Sequence, residues 1–173
     1  MNDQLLDSRG MTEAQAIERY RSRNYPKPAL TADIVIFRKE EDGARSLLLI
    51  RRGGHPFLGK WALPGGFANE NEPVERTAAR ELQEETGVEG LPLELVGVFS
   101  APGRDPRGWV VSAAFRSTVE TDIPVKAGDD AADAAWFRVE QGFGGLMLRH
   151  GAEILTAEDL AFDHGAILAA ALR

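Results

Sequence analysis

The chain contains no cysteine, which excludes disulfide staples, thiolate metal sites and a cysteine nucleophile. It has no apolar run of the roughly 18 residues that a membrane-crossing helix needs, so no membrane partner is expected. Basic charge is also short: 20 Lys and Arg stand against 27 Asp and Glu, a net charge of −7. That balance argues against holding nucleic acid by a general field, and any basic ligand site has to be local. No nucleic-acid partner and no winged-helix DNA-binding extension after residue 173 are expected. Histidine is scarce, and His55, His150 and His164 have no metal-ligand spacing between them. None is assigned a catalytic role, and His164 reads as a helix residue facing a sheet. The first ten residues, MNDQLLDSRG, lack the charged-then-apolar order of a secretion signal, which makes the cytoplasm the expected location.

What the chain does have is enough apolar residue, 43% of 173, to bury one sizeable core. One domain with short terminal additions is expected. A Thr-x-x-Gln capping pattern at Thr12 and Gln15 predicts a short helix over residues 12–23, ended by the prolines of YPKPAL. The runs ADIVIF and SLLLIRR, separated by the turn-like KEEDGAR, read as a strand pair. GGHPFLGKWALPGG is a shaped loop that interrupts the sheet. LELVGVFS, GWVVSAAFRSTVE and DAAWFRVE read as further strands, and GLMLRHGAEIL as a hairpin turning at His150 and Gly151. Thr156 and Asp159 have capping-box spacing and predict a C-terminal helix with an apolar stripe of Leu160, Ile167, Leu168, Ala171 and Leu172.

The stretch RELQEETGV breaks a local rule. A helix over residues 73–86, opened by Pro73 and stopped by Gly87, would end on Glu81, Glu84 and Glu85. Acids there oppose the negative end of the helix dipole at a cost of about 0.3–1 kcal/mol each. At about 100° per residue the three fall on one face, with Ala78, Ala79 and Leu82 on the other. Carboxylates so placed can converge on a hard cation, Mg²⁺ or Mn²⁺, which turns the repulsion into attraction. A solvated acidic face is the competing reading of the helix taken alone.

The surrounding residues decide between the two. Gly66, Glu72, Arg80-Glu81-Leu82, Glu84-Glu85 and Gly87-Val88 stand at the spacing of GGFANENEPVERTAARELQEETGV, which resembles the complete signature of the Nudix hydrolase family. Nine specified positions coincide by chance roughly once in a billion starting points. The resemblance implies an α/β fold, an α/β/α sandwich around a mixed β-sheet, in a domain over residues 25–173 after an N-terminal segment, 1–24. It implies metal ligands at Glu81, Glu84, Glu85 and the Gly66 carbonyl, with Glu81 also a candidate base, and a structural pair of Glu72 and Arg80. Family members often add a carboxylate from a loop outside the signature, for which Asp130 is the first choice here and Asp129 the second; two turn-forming aspartates are the competing reading.

SAPGRDPRGWVVSAAF is similar to the corresponding loop and strand of the ADP-ribose pyrophosphatase group and of related regulators of nicotinamide metabolism. The resemblance therefore implies a small-molecule nucleotide substrate, foremost ADP-ribose split to AMP and ribose 5-phosphate, and a homodimer. Hydrolysis of another nucleotide and a non-catalytic nucleotide-sensing role are the alternatives. Arg104 and Arg107 on this loop, and Arg51 and Arg52 at a strand end, are candidate phosphate contacts. Phe57, Trp61 and Trp109 are either adenine-stacking residues or core plugs.

Overall fold

The computed structural model describes residues 5–120, 124–125, 131–142 and 145–173. Strand β1 (Ala29–Lys39) is the hub of the sheet. Its side chains alternate between two apolar faces, as a strand buried on both sides requires. Val35 and Phe37 join one core cluster, while Ala32, Ile34 and Ile36 join the other. It pairs antiparallel with β2 (Arg45–Arg52) and parallel with β6 (Val110–Val119), so the sheet is mixed.

Beyond β6 lies β5 (Glu94–Phe99), and beyond β2 lie β7 (Ala131–Gly142), β8 (Gly145–His150) and β9 (Glu153–Thr156), giving the order β5-β6-β1-β2-β7-β8-β9. The hairpin turns after His150 at Gly151, where φ is 57°. Helix α2 (Val74–Thr86) lies on one face of the sheet and α3 (His164–Ala171) contributes to the cluster on the other, which is the expected α/β/α arrangement.

Several expectations shift by local detail. The predicted 12–23 helix is α1 (Glu13–Arg21), with the Thr12–Gln15 capping box formed in both directions. Pro73 is the N-cap of α2, not its first helical residue. Its ψ of 139° is extended, while its carbonyl accepts the amides of Arg76 and Thr77. Ala79 is exposed; Thr77 takes its place beside buried Ala78 and Leu82.

The loop of residues 53–66 is not wholly irregular. It carries β3 (Trp61–Ala62), paired with β2, and the start of β4 (Gly65–Phe67), paired with β1. At the C-terminal end the Thr156–Asp159 capping box is present but opens only a 3₁₀ turn, Ala157–Asp159. Leu160 is extended and Phe162 takes a φ of 52°, so the helix waits until His164. The break lets the Ala161 amide donate to the Trp61 carbonyl at 2.8 Å, which ties this segment to β3.

Candidate active site

Helix α2 brings its acids against the Gly65–Phe67 strand. Glu85 is buried, and one of its carboxylate oxygens accepts the Gly65 amide at 2.8 Å. Burial pushes this carboxyl up to about 8, and the neighbouring Glu81 adds to the rise. Burial also raises Glu81, against the opposing pull of Arg80. Gly66 packs so closely that a Cβ there would stand 2.4 Å from the Glu81 carboxylate. Glu84, by contrast, is exposed, so the three acids form an arc from the strand outward.

Arg80 organises this arc. Its Nη1 donates to Glu81 at 2.5 Å and to Glu84 at 3.0 Å, while Nε and Nη2 reach Glu72 at 3.0 Å each and Nη2 reaches the Phe67 carbonyl at 2.9 Å. Glu72 also accepts the Asn69 amide and the Thr77 hydroxyl. Arg80 first, then these donors, hold its carboxyl down at about 2. A guanidinium thus spans two carboxylates of the acidic face.

The donor chemistry fits a hard divalent ion: carboxylate oxygens converge beside a backbone segment that only glycine can bring so near. Among the described residues, no three acidic or histidine side chains already stand as a finished ion site. Arg80 engages one oxygen of Glu81 and one of Glu84, so each carboxylate keeps a second oxygen that could take an ion.

Glu81 and Glu85 line one side of a cleft whose other walls include Arg52, Phe67 and Arg107. Arg52 shares its strand face with Leu48 and Ile50, whereas Arg51 is exposed on the opposite face and donates to the Gly59 carbonyl at 3.1 Å. Arg107 is anchored to Asp105 at 2.7 Å and lies 4.6 Å from the Phe67 ring centre and 5.3 Å from that of Phe162.

Arg104 has a different setting. Its side chain is only 4% exposed and grips Asp163 at 2.6 and 2.9 Å, with Asp33 at 3.4 Å. With Asp33 and His164 it lines an adjoining polar pocket, which shares Arg52, Phe67 and Arg107 with the cleft. Trp61 is a core residue, edge-on to Phe137, and its indole donates to Glu153 at 2.9 Å. Trp109 is exposed, and Phe57 packs on Phe162 at 4.8 Å. Asp129 and Asp130 lie outside the described residues.

Sequence reasoning missed Asp33, Asp163, Phe162 and the part played by His164. Asp33 carried a signal: a lone carboxylate inside the apolar run of β1 needs partners to be buried. The others have no local signature, because their partners lie far away in the chain.

Residues 27–155 match the NUDIX domain. The chain belongs to the Nudix family. An ADP-ribose pyrophosphatase of Methanocaldococcus jannaschii is 37% identical over 161 residues, 93% of this chain and 82% of that protein. An ADPR responsive transcriptional repressor of Acinetobacter baylyi is 32% identical over 91% of this chain, which spans only 58% of the repressor's length. Among solved structures, the NUDIX domain of Shewanella oneidensis NrtR complexed with ADP ribose superposes with a TM-score of 0.74 at 29% identity, covering 94% of this chain and 97% of that one. Among the described residues of this Nudix chain, no helix is long and apolar enough to cross a membrane.

Proposed function

We propose that this Nudix protein is a divalent-metal-dependent pyrophosphohydrolase that splits ADP-ribose into AMP and ribose 5-phosphate. The observation that carries the reading is the cleft itself, with Glu81 and Glu85 on one wall and Arg52 and Arg107 on another. An acidic wall suits cations and a basic wall suits phosphate oxygens, so a diphosphate bridged by Mg²⁺ or Mn²⁺ satisfies both. The likeness to an ADP-ribose pyrophosphatase supports the choice of nucleotide.

Glu81, Glu84, Glu85 and the Gly66 carbonyl are the residues that would hold the ion. When bound, such an ion polarises phosphoryl oxygens and lowers the pKa of a coordinated water. Glu81 is the candidate acceptor of that water's proton, its carboxyl already raised by burial; Asp130 is the second candidate. Arg107 and Arg52 would orient the diphosphate, and no covalent nucleophile is required. Arg104, held by Asp163 and Asp33, would act mainly by shaping the loop that presents Arg107.

The test is turnover by the full chain with Mg²⁺ against ADP-ribose, NADH, diadenosine polyphosphates, sugar nucleotides and nucleoside triphosphates. ADP-ribose is expected to give the highest kcat/KM. Glu84→Gln should lower turnover by orders of magnitude with little change in Tm, since this side chain is 57% exposed; unchanged activity would remove Glu84 from the ligand set. A second reading, nucleotide sensing without turnover, is favoured by the likeness to the ADPR responsive repressor. Thermal stabilisation by ADP-ribose with no cleavage of any substrate would select it.

A further inference from the structure

We propose that His164 is a positioning residue: it clamps the backbone leading into Gly65 and Gly66, and so sets where that strand meets the acids of α2. The inference rests on the metal-hydrolase reading above.

The Leu63 amide donates to His164 Nδ1 at 2.8 Å in a buried setting. An Nδ1 that accepts carries a lone pair, which places the ring proton on Nε2. Nε2 lies 3.4 Å from Asp33 Oδ1. The other oxygen of Asp33 accepts the Ser112 hydroxyl at 2.5 Å and Arg104 Nη2 at 3.4 Å. Arg104 in turn grips Asp163, the residue immediately before His164, so the ring is fixed from both its helix and the central strand. Burial pushes the Asp33 carboxyl up, but His164, Ser112 and Arg104 outweigh it and the net shift is downward.

What the ring fixes lies two residues before Gly65, whose amide meets Glu85. Pro64 has no amide, so Leu63 supplies the last backbone donor before Gly65. The Pro64 carbonyl accepts the Ile34 amide at 2.8 Å, and the Gly65 amide then reaches Glu85, also at 2.8 Å. Gly66 follows against Glu81, whose carboxylate would have to move to admit a methyl group. A shift of the Leu63 amide is therefore passed along a chain that is paired at each step. His164 is 4% exposed and both its nitrogens face protein partners, so it acts through the strand and not on substrate.

The test uses two substitutions that separate the two nitrogens. In His164→Asn the side-chain carbonyl can stand where Nδ1 stood and accept the Leu63 amide; in His164→Gln the longer amide reaches toward Asp33 and leaves Leu63 without an acceptor. Amide exchange over residues 62–67 is measured first, with neither metal nor nucleotide present. Mn²⁺ affinity by electron paramagnetic resonance follows, and then kcat and KM for ADP-ribose at saturating Mg²⁺. His164→Asn keeps the Leu63 acceptor but loses the contact with Asp33, and is expected to fall between wild type and His164→Gln in all three measurements. His164→Gln is expected to exchange at least about tenfold faster, to bind Mn²⁺ about 10–100-fold more weakly and to lose kcat by a similar factor, with KM little changed.

Equal exchange and equal Mn²⁺ affinity in the two variants would overturn the proposal. Ser112→Ala removes one hydrogen bond from Asp33 and should give the His164→Gln pattern at smaller amplitude. If His164→Gln does not fold, unchanged exchange in Ser112→Ala overturns the proposal. Wild-type protein that takes up no Mn²⁺ would instead overturn the metal-dependent reading, and exchange over residues 62–67 then decides the clamp alone.

Discussion

A Cβ at Gly66 would stand 2.4 Å from the Glu81 carboxylate, whereas one at Gly65 would stand 2.2 Å from the Ala32 carbonyl oxygen. The first obstacle is the end of a flexible side chain and the second is backbone. Gly66→Ala should therefore fold nearly as well as wild type but displace Glu81, lowering kcat by orders of magnitude. Gly65→Ala should instead strain the pairing of β4 with β1, at an overpacking cost of about 1–3 kcal/mol. Calorimetric Tm and steady-state kinetics on both variants check the contrast. Glu72 gives a pH prediction at the same scale. Its carboxyl is held at about 2 in the folded protein against an ordinary 4.5. The unfolded chain takes up this proton first as pH falls, so the stabilisation is full above 4.5 and is lost progressively towards 2. Glu72→Gln should lower Tm at pH 7 and flatten the acid limb between these values, with the two proteins converging near pH 2. A parallel offset at every pH would show that Glu72 acts by packing alone.

At the scale of elements, the sequence was most legible where a signal and its consequence lie within one turn or one strand. The Thr12 capping box, the Gly87 stop, the pairing of β1 with β2 and the turn at Gly151 each formed where expected. It was least legible where tertiary contact overrode a local signal. Thr156 and Asp159 pair as a capping box should, yet Ala161 binds Trp61 and the helix is delayed to His164. The same holds for the site. The acidic spacing of α2 could be read from the chain, because residues three and four apart must be neighbours on a helix. The grip of Asp163 and Asp33 on Arg104 could not be, since their separations of 59 and 71 residues leave no periodic trace. The end of α2 yields an element-scale prediction. Gly87 has a φ of 73°, and its amide donates to the Gln83 carbonyl. Gly87→Ala forces a residue with a Cβ into the left-handed region, at about 1–2 kcal/mol. In a chain of this size each kcal/mol lowers Tm by about 2–4 °C. Calorimetry should show that loss with kcat retained, because Gly87 faces solvent and nothing lies within 4 Å of its missing Cβ.

At the scale of the whole molecule, a chain of net charge −7 concentrates part of its excess at a single helix end. Glu81 and Glu85 are withdrawn from water there, Glu81 beside Arg80 and Glu85 within the field of Arg52, and burial still raises both carboxyls. The fold therefore carries a local electrostatic cost that a divalent ion can relieve, and ion binding should appear as global stability. An ion at a hundred times its Kd stabilises the native state by about 2.7 kcal/mol. For a chain of this length, at about 2–4 °C per kcal/mol, Mg²⁺ should raise Tm measurably above the value in a chelator. Glu85→Gln separates cost from use. Its amide oxygen can still accept the Gly65 amide, but no negative charge remains to be buried. The variant is expected to melt higher than wild type in chelator at pH 8, and to lose most of the Mg²⁺-dependent rise together with turnover. Differential scanning calorimetry with and without Mg²⁺ checks both halves. A variant that melts lower in chelator, yet keeps the full Mg²⁺ shift, would mean that Glu85 serves the fold and not the ion.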